Sequence, residues 1–190
     1  MVLPGHLSGG YLAARAVLFL THASFSPTQA ATLLVIGTLA GEAPDIDLLF
    51  FYFNQRSKAS KKVAEHRGYF THTPLVWLVL SLAIVTTGRI FDSSFVQSIG
   101  WMILAGTFCH FILDSLEHGI RWLWPFSNKR RALLNTDPDI EYARIERDNA
   151  AVSKGTFKSY WRFVTGPYLK SWTVWLEILI TLAALWALCQ

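Results

Sequence analysis

The sequence predicts an all-α protein: a polytopic helical bundle in a membrane, with about five membrane segments and a cytoplasmic loop region. Hydrophobic residues make up 52% of the chain and charged residues only 16%, whereas soluble domains carry about 25% charged residues. The deficit lies in two runs without charged residues, 68–88 and 93–113. Each run is about the ~20 residues that a helix needs to cross the hydrocarbon core. Two buried helices of a soluble protein are the alternative, but soluble helices usually keep a charged stripe.

Five apolar segments carry this prediction. They cover residues 11–24, 30–53, 74–87, 95–118 and 172–190. Ser26-Pro27-Thr28 is a helix start signal for the second segment, whereas Glu177 weakens the fifth because it lies one turn inside. Arg15 interrupts the first apolar stretch, so a cleaved signal peptide is not expected. We therefore predict a membrane-embedded core at 1–125, a cytoplasmic loop region at 126–171 with a short amphipathic helix at 140–152, and a C-terminal membrane helix at 172–190.

The distribution of basic residues predicts the orientation in the membrane. The connection 54–67 carries five Lys or Arg residues against one acid, and the long connection 119–171 has a Lys-Arg-Arg run at 129–131 near its start, whereas the other connections are nearly uncharged. The positive-inside rule places both basic connections and the N-terminus in the cytoplasm. We thus expect a multi-pass protein of the inner (cytoplasmic) membrane. The net charge of +4 is interpreted as a topology signal, and no nucleic-acid partner is expected.

Ionisable side chains inside membrane segments are costly, and they indicate function by default. The candidate metal ligands are His6, Asp45, Asp47, His66, His72, His110, Asp114 and His118. Residues four apart share a helix face, so His110, Asp114 and His118 form one polar stripe. Pro44 breaks the second helix, which allows Asp45 and Asp47 to point at one centre.

Depth in the membrane favours a single site. With a rise of about 1.5 Å per residue, the candidate ligands all reach the cytoplasmic side under the predicted topology, whereas His22 lies at the opposite level and is excluded. Imidazole and carboxylate ligands together suit zinc, manganese or iron, while sets made of oxygen alone suit magnesium or calcium. We therefore expect divalent metal ions, with zinc as the first choice and manganese or iron as alternatives.

Three residues are candidates for catalytic roles. Asp47 or Glu42 could take a proton from the attacking water. Arg67 could bind a substrate phosphate through its planar guanidinium, or it could serve only as a topology charge. Glu42 and His118 could instead be structural and hydrogen-bond a neighbouring helix.

These blocks resemble the YdjM-type inner-membrane metal-dependent hydrolases, a bacterial and archaeal family of candidate hydrolases whose namesake is described as LexA-binding. The matching blocks occur in the order Gly5-His6-Leu7, Pro44 to Asp47, His66 to His72, and His110 to Asp114 with Trp124-Pro125 after it. The family in turn resembles zinc-dependent phospholipase C, whose helical site holds several metal ions. The resemblance implies two or more ions and a phosphoester as the target.

The sequence therefore predicts a membrane-embedded metal-dependent hydrolase that acts on an ester, in particular on a lipid or lipid-linked phosphoester. A metal-ion or proton transporter is the main alternative, since His and Asp residues in helices also build ion paths. Such a path needs polar groups through the whole depth of the membrane. A non-catalytic regulatory membrane protein is a further alternative. A haem site at His72 and His110 is disfavoured by the neighbouring carboxylates.

Overall fold

The computed structural model describes residues 3–21, 24–47, 69–116, 119–134, 165, 169 and 172–190. Its helices are α1 (Leu3–Thr21), α2 (Pro27–Ala40), α3 (Pro74–Ile90), α4 (Ser94–Ser115) and α5 (Thr173–Leu188). Two short 3-10 helices lie at Ala43–Ile46 and Phe70–His72. In this part of the chain no β-strand is formed, and a single antiparallel bridge joins Ile120 to Arg131. The all-α prediction is confirmed for these residues.

The start and end of α2 have clear local causes. Ser26 and Gln29 form a reciprocal capping box, with Gln29 N–H donating to the Ser26 hydroxyl at 3.3 Å and Ser26 N–H donating to the Gln29 side chain at 3.1 Å. Pro27 occupies the first turn, where its missing N–H costs nothing. The helix ends at Ala40, because the ring of Pro44 would clash with the carbonyl four residues earlier. The second predicted segment, 30–53, is therefore not one continuous helix.

The first helix begins earlier than predicted. The expected segment covered 11–24, with His6 before it, but α1 begins at Leu3 and includes His6 in its second turn. Pro4 is well tolerated in a first turn, because the N–H groups there have no acceptor within the helix. The direction of the His6 side chain therefore depends on the start of this helix.

Small residues allow α1, α2 and α4 to pack closely. A Cβ added to Gly37 would lie 2.5 Å from the Cβ of Ala14 on α1, and one added to Gly106 on α4 would lie 2.5 Å from the carbonyl oxygen of Gly37. Small residues at helix interfaces permit this approach of backbones in membrane proteins. Ala14, Leu33 and Met102 form the buried core beside them. On the outside, α3 packs on α4 and α5 packs on α1.

Among the described helices, α4 alone is long and apolar enough to cross a membrane by length and composition, and α2, α3 and α5 are apolar but shorter. Trp175, Leu179 and Trp186 on α5 are 64% to 70% exposed, as expected of a surface that faces lipid. The number of membrane crossings and the cytoplasmic N-terminus stay predictions. The amphipathic helix predicted at 140–152 lies outside the described residues.

Candidate metal centre

Six of the eight predicted ligands lie together in one buried cluster. It forms where the N-terminal end of α1, the C-terminal end of α4 and the two 3-10 helices meet, and its members are His6, Asp45, Asp47, His72, His110 and Asp114. The side chain of Asp45 is 13% exposed, and the other five residues are at most 1% exposed. His66 and His118 lie outside the described residues, as does Arg67.

Asp114 lies at the centre of the cluster. Its Oδ1 is 3.3 Å from Nε2 of His6, while its Oδ2 is 3.5 Å from Nε2 of His72 and 3.8 Å from Nε2 of His110. Its two oxygens therefore face two different sets of imidazoles. Because His110 and Asp114 are four residues apart on α4, they share one helix face, as the sequence predicted.

Asp45 also lies beside these two imidazoles. Its Oδ1 lies 3.6 Å from Nε2 of His72 and 4.0 Å from Nε2 of His110, and the two Nε2 atoms are 3.4 Å apart. Metal–nitrogen bonds of about 2.0–2.1 Å in a tetrahedral site put neighbouring ligand atoms about 3.3 Å apart. The ligand atoms of Asp45, His72 and His110 all lie within 4.8 Å of one another, and so do those of His6, His110 and Asp114. Either group could hold one metal ion.

Polar atoms without a hydrogen-bond partner support binding of a cation. Within the described residues, Asp45 Oδ1 and Nδ1 of His6 are buried and make no hydrogen bond. A buried polar atom without a hydrogen bond costs free energy, and buried charges are normally paired or coordinate a metal. The residues of the cluster therefore fit a divalent cation with nitrogen and oxygen ligands.

The ring of His72 is oriented by Asp47. Nδ1 of His72 lies 2.8 Å from Asp47 Oδ2, and the Thr71 hydroxyl donates to the same oxygen at 3.3 Å. Since a carboxylate only accepts hydrogen bonds, Nδ1 carries the proton and the lone pair of Nε2 faces the cluster. A carboxylate behind a metal-binding histidine fixes its tautomer and raises its basicity in many metal sites.

The ring of His110 is oriented by the backbone. Its Nδ1 donates to the carbonyl oxygen of Gly41 at 2.8 Å, which leaves Nε2 as the atom that can bind a metal. The ring of His6 stacks on that of His110 with centroids 4.0 Å apart. The ring of Phe111 packs against those of His72 and His110 in T-shaped arrangements.

Asp45 and Asp47 do not point at one centre, although the break at Pro44 led us to expect it. Asp45 faces the Nε2 atoms, while Asp47 contacts Nδ1 on the far side of the His72 ring. The reason is the 3-10 geometry of Ala43–Ile46, in which a turn takes about three residues, so that side chains two residues apart diverge. Glu42, directly before this turn, is half-buried, and its buried Oε2 makes no hydrogen bond to the described residues.

Comparison with known proteins gives the family. Residues 1–189 match the family described as YdjM inner membrane protein. The chain belongs to the YdjM inner membrane protein family. Inner membrane protein YbcI of Escherichia coli (strain K12) is 35% identical over 103 residues, which are 52% of this chain and 56% of YbcI. The chain thus spans little more than half the length of that curated relative. No solved structure matches it.

The match confirms the resemblance to the YdjM family and the inner-membrane location, whereas the metal-dependent hydrolase activity that the resemblance implied stays a prediction. The likeness to zinc-dependent phospholipase C and the LexA binding of the namesake stay predictions. Three groups in this YdjM-family chain that contact site residues or their neighbours were not predicted from the sequence. They are the Gly41 carbonyl, which binds His110, the Thr71 hydroxyl, which binds Asp47, and the Glu177 carboxylate, which binds the N–H of Gly5 next to His6. Only Glu177 gave a signal, as a charge inside an apolar segment.

Proposed function

We propose that this chain is a membrane-embedded metal-dependent hydrolase that cleaves an ester, namely a phosphoester of a lipid or lipid-linked substrate, at the cytoplasmic leaflet. The observation that carries the proposal is the convergence of three imidazoles and two carboxylates, from His6, Asp45, His72, His110 and Asp114. Mixed nitrogen and oxygen ligands suit Zn²⁺, with Mn²⁺ or Fe²⁺ as alternatives.

The number of donor side chains is sufficient for two ions, as the family resemblance implies. A structural zinc site takes four ligands, and a catalytic site takes about three protein ligands and keeps a position open. Five side chains exceed that number. Asp114 has one oxygen beside His6 and the other beside His72 and His110, so its carboxylate could be shared by two ions, whereas the one free nitrogen of His110 could bind only one of them. Sites of this type serve phosphoester hydrolysis in phosphatases and nucleases.

The residues at the proposed centre have different roles. When bound, a divalent cation acts as a Lewis acid and lowers the pKa of a coordinated water. Asp47 and the Gly41 carbonyl keep the His72 and His110 rings in their binding orientation. Glu42 is favoured over Asp47 as the general base. Asp47 is fully buried and already accepts hydrogen bonds from His72 and Thr71. Glu42 is half-buried and has a buried oxygen that makes no hydrogen bond to the described residues. Arg67 stays the predicted phosphate-binding residue.

A matched pair of variants tests the proposal. Asp114→Asn removes one central charge at constant volume, and Asp92→Asn makes the same change at an exposed turn between α3 and α4 with a positive φ that Asn tolerates. The purified, metal-loaded chain is incubated with phospholipids and polyprenyl phosphates, and released phosphate and headgroups are measured. We expect cleavage by wild type and Asp92→Asn and none by Asp114→Asn. Equal turnover in all three, or no cleavage of any substrate, contradicts the proposal.

Transport of metal ions or protons is less well supported. A transport path requires polar groups through the depth of the bundle, but His110 and Asp114 occupy the last two turns of α4 and His6 lies near the start of α1. The same preparation in sealed vesicles separates the two functions. Metal uptake without ester cleavage would favour the transporter, and neither activity would favour a non-catalytic regulatory protein.

A further inference from the structure

Glu177 is an ionisable residue on an apolar helix, outside the set of proposed metal ligands. It lies one turn inside α5 and is 5% exposed, whereas its helix neighbours Trp175 and Leu179 are 70% and 64% exposed. The carboxylate therefore turns inward, towards α1, on which α5 packs. Charged groups in apolar helices are expensive and usually have a function.

The carboxylate of Glu177 binds the first turn of α1. The backbone N–H of Gly5 donates to Oε1 of Glu177 at 2.9 Å, in a buried hydrogen bond between residues 172 positions apart. Gly5 is the third residue of α1, so its N–H has no acceptor within the helix. An unsatisfied N–H in an apolar surrounding is costly, and a negative charge at a helix N-terminus is also favoured by the helix dipole.

The lack of a side chain at Gly5 allows this contact. A Cβ at that position would lie 2.8 Å from Cγ and 3.0 Å from Cδ of Glu177, closer than any ordinary carbon contact. Near it, the Ser8 hydroxyl donates to the Thr181 hydroxyl at 3.3 Å. Two polar contacts thus join the start of α1 to the face of α5 that carries Glu177 and Thr181.

The next residue after Gly5 is His6, a member of the metal centre. Its Nε2 is 3.3 Å from Asp114 Oδ1, and its ring stacks on His110. Helix ends fray when their free N–H groups have no partner, so the direction of the His6 side chain depends on a fixed first turn. We propose that Glu177 is a positioning residue: it holds the first turn of α1 in helical form and so places the imidazole of His6 in the metal centre. The inference rests on the proposed metal centre and gives the C-terminal helix a part in building it.

Zinc affinity of the full purified chain in detergent tests this role without any substrate. Glu177→Leu removes the acceptor and is expected to weaken zinc binding by about 10–100-fold, the usual effect of losing a residue that orients a metal ligand. Glu177→Gln keeps an acceptor oxygen and should stay near the wild-type affinity. Leu179→Ala, on the exposed side of the same helix, is the control and should bind zinc as wild type does.

A double-mutant cycle with His6→Ala distinguishes positioning from general stabilisation. If Glu177 acts through His6, Glu177→Leu causes no further loss of zinc affinity once His6 is absent. The same loss in both backgrounds, or unchanged affinity of Glu177→Leu, overturns the inference and leaves the proposed metal centre intact. Absence of zinc binding by wild type overturns both. If Glu177→Leu does not fold, Gly5→Ala is measured instead, because the Cβ of Ala would displace the Glu177 carboxylate. Unchanged zinc affinity of Gly5→Ala also overturns the inference.

Discussion

Gly10 on α1 offers the sharpest test of how helix packing builds the metal centre. It lies one turn after His6, at the contact with α2. A Cβ at Gly10 would lie 2.7 Å from the carbonyl oxygen of Gly37 and 3.0 Å from Cα of Gly41, whereas an ordinary contact begins at 3.4 Å. Gly10→Ala therefore forces α1 and α2 apart by about 0.7 Å at this point.

This displacement is large for a metal site but moderate for helix packing. Metal–ligand distances tolerate deviations of only about 0.2 Å. His6 on α1 has to meet Asp114 and His110 on α4, while Asp45 is held by the turn after α2. We expect zinc affinity to fall by at least about tenfold, the range seen when ligand orientation is lost. Overpacking costs about 1–3 kcal/mol of folding free energy, of which the better helix propensity of Ala returns up to about 1 kcal/mol.

Gly100→Ala is the matched control for Gly10→Ala. A Cβ at Gly100 would lie 2.6 Å from Cγ2 of Val85, so the crowding is comparable, but the contact joins α3 and α4 about 15 Å along the helix from His110. Isothermal titration with zinc and thermal unfolding in detergent are measured for both variants. Both should melt at lower temperature, and only Gly10→Ala should bind zinc more weakly. Equal zinc affinity of the two variants would refute the packing argument.

Two further predictions concern the centre itself. Asp47→Asn leaves the ligands His72 and Asp45 in place but removes the charge behind the His72 ring, so zinc affinity should fall by about 10–100-fold; a complete loss of zinc would instead make Asp47 a ligand. Removal of metal with a chelator should lower the melting temperature of wild type, because zinc at a hundred times its Kd contributes about 2.7 kcal/mol of folding free energy. Asp114→Asn, which should bind no zinc, serves as the control, and an equal effect of the chelator on both proteins would contradict a bound ion.

The helical class and the gathering of six of the eight predicted ligands were predicted from the sequence. The six predicted ligands in the described residues lie near the end of a helix or at the break made by Pro44, and the positive-inside rule combined with the helix rise predicted that they meet at one level. The spacing of His110 and Asp114 also followed directly from helix geometry. These arguments use only local periodicity and charge, which a single sequence carries.

The division of roles within the cluster could not be predicted in the same way. Whether Asp45 or Asp47 faces the imidazole Nε2 atoms depends on the 3-10 form of the turn after α2, and periodicity does not report that form. The Gly41 carbonyl binds His110 across 69 positions. The start of α1 at Leu3 involves a carboxylate from the last helix. Each of these features arises from a contact between distant parts of the chain.

Anomalous scattering from zinc-containing crystals of this chain would show whether these side chains hold a metal ion. We expect anomalous density within about 2.0–2.1 Å of Nε2 of His72 or His110, next to the side chains of Asp114, His6 and Asp45. Zinc bound only at another place would contradict the proposed metal centre. So would the absence of zinc from a structure in which the rings of His6, His72 and His110 are arranged as described.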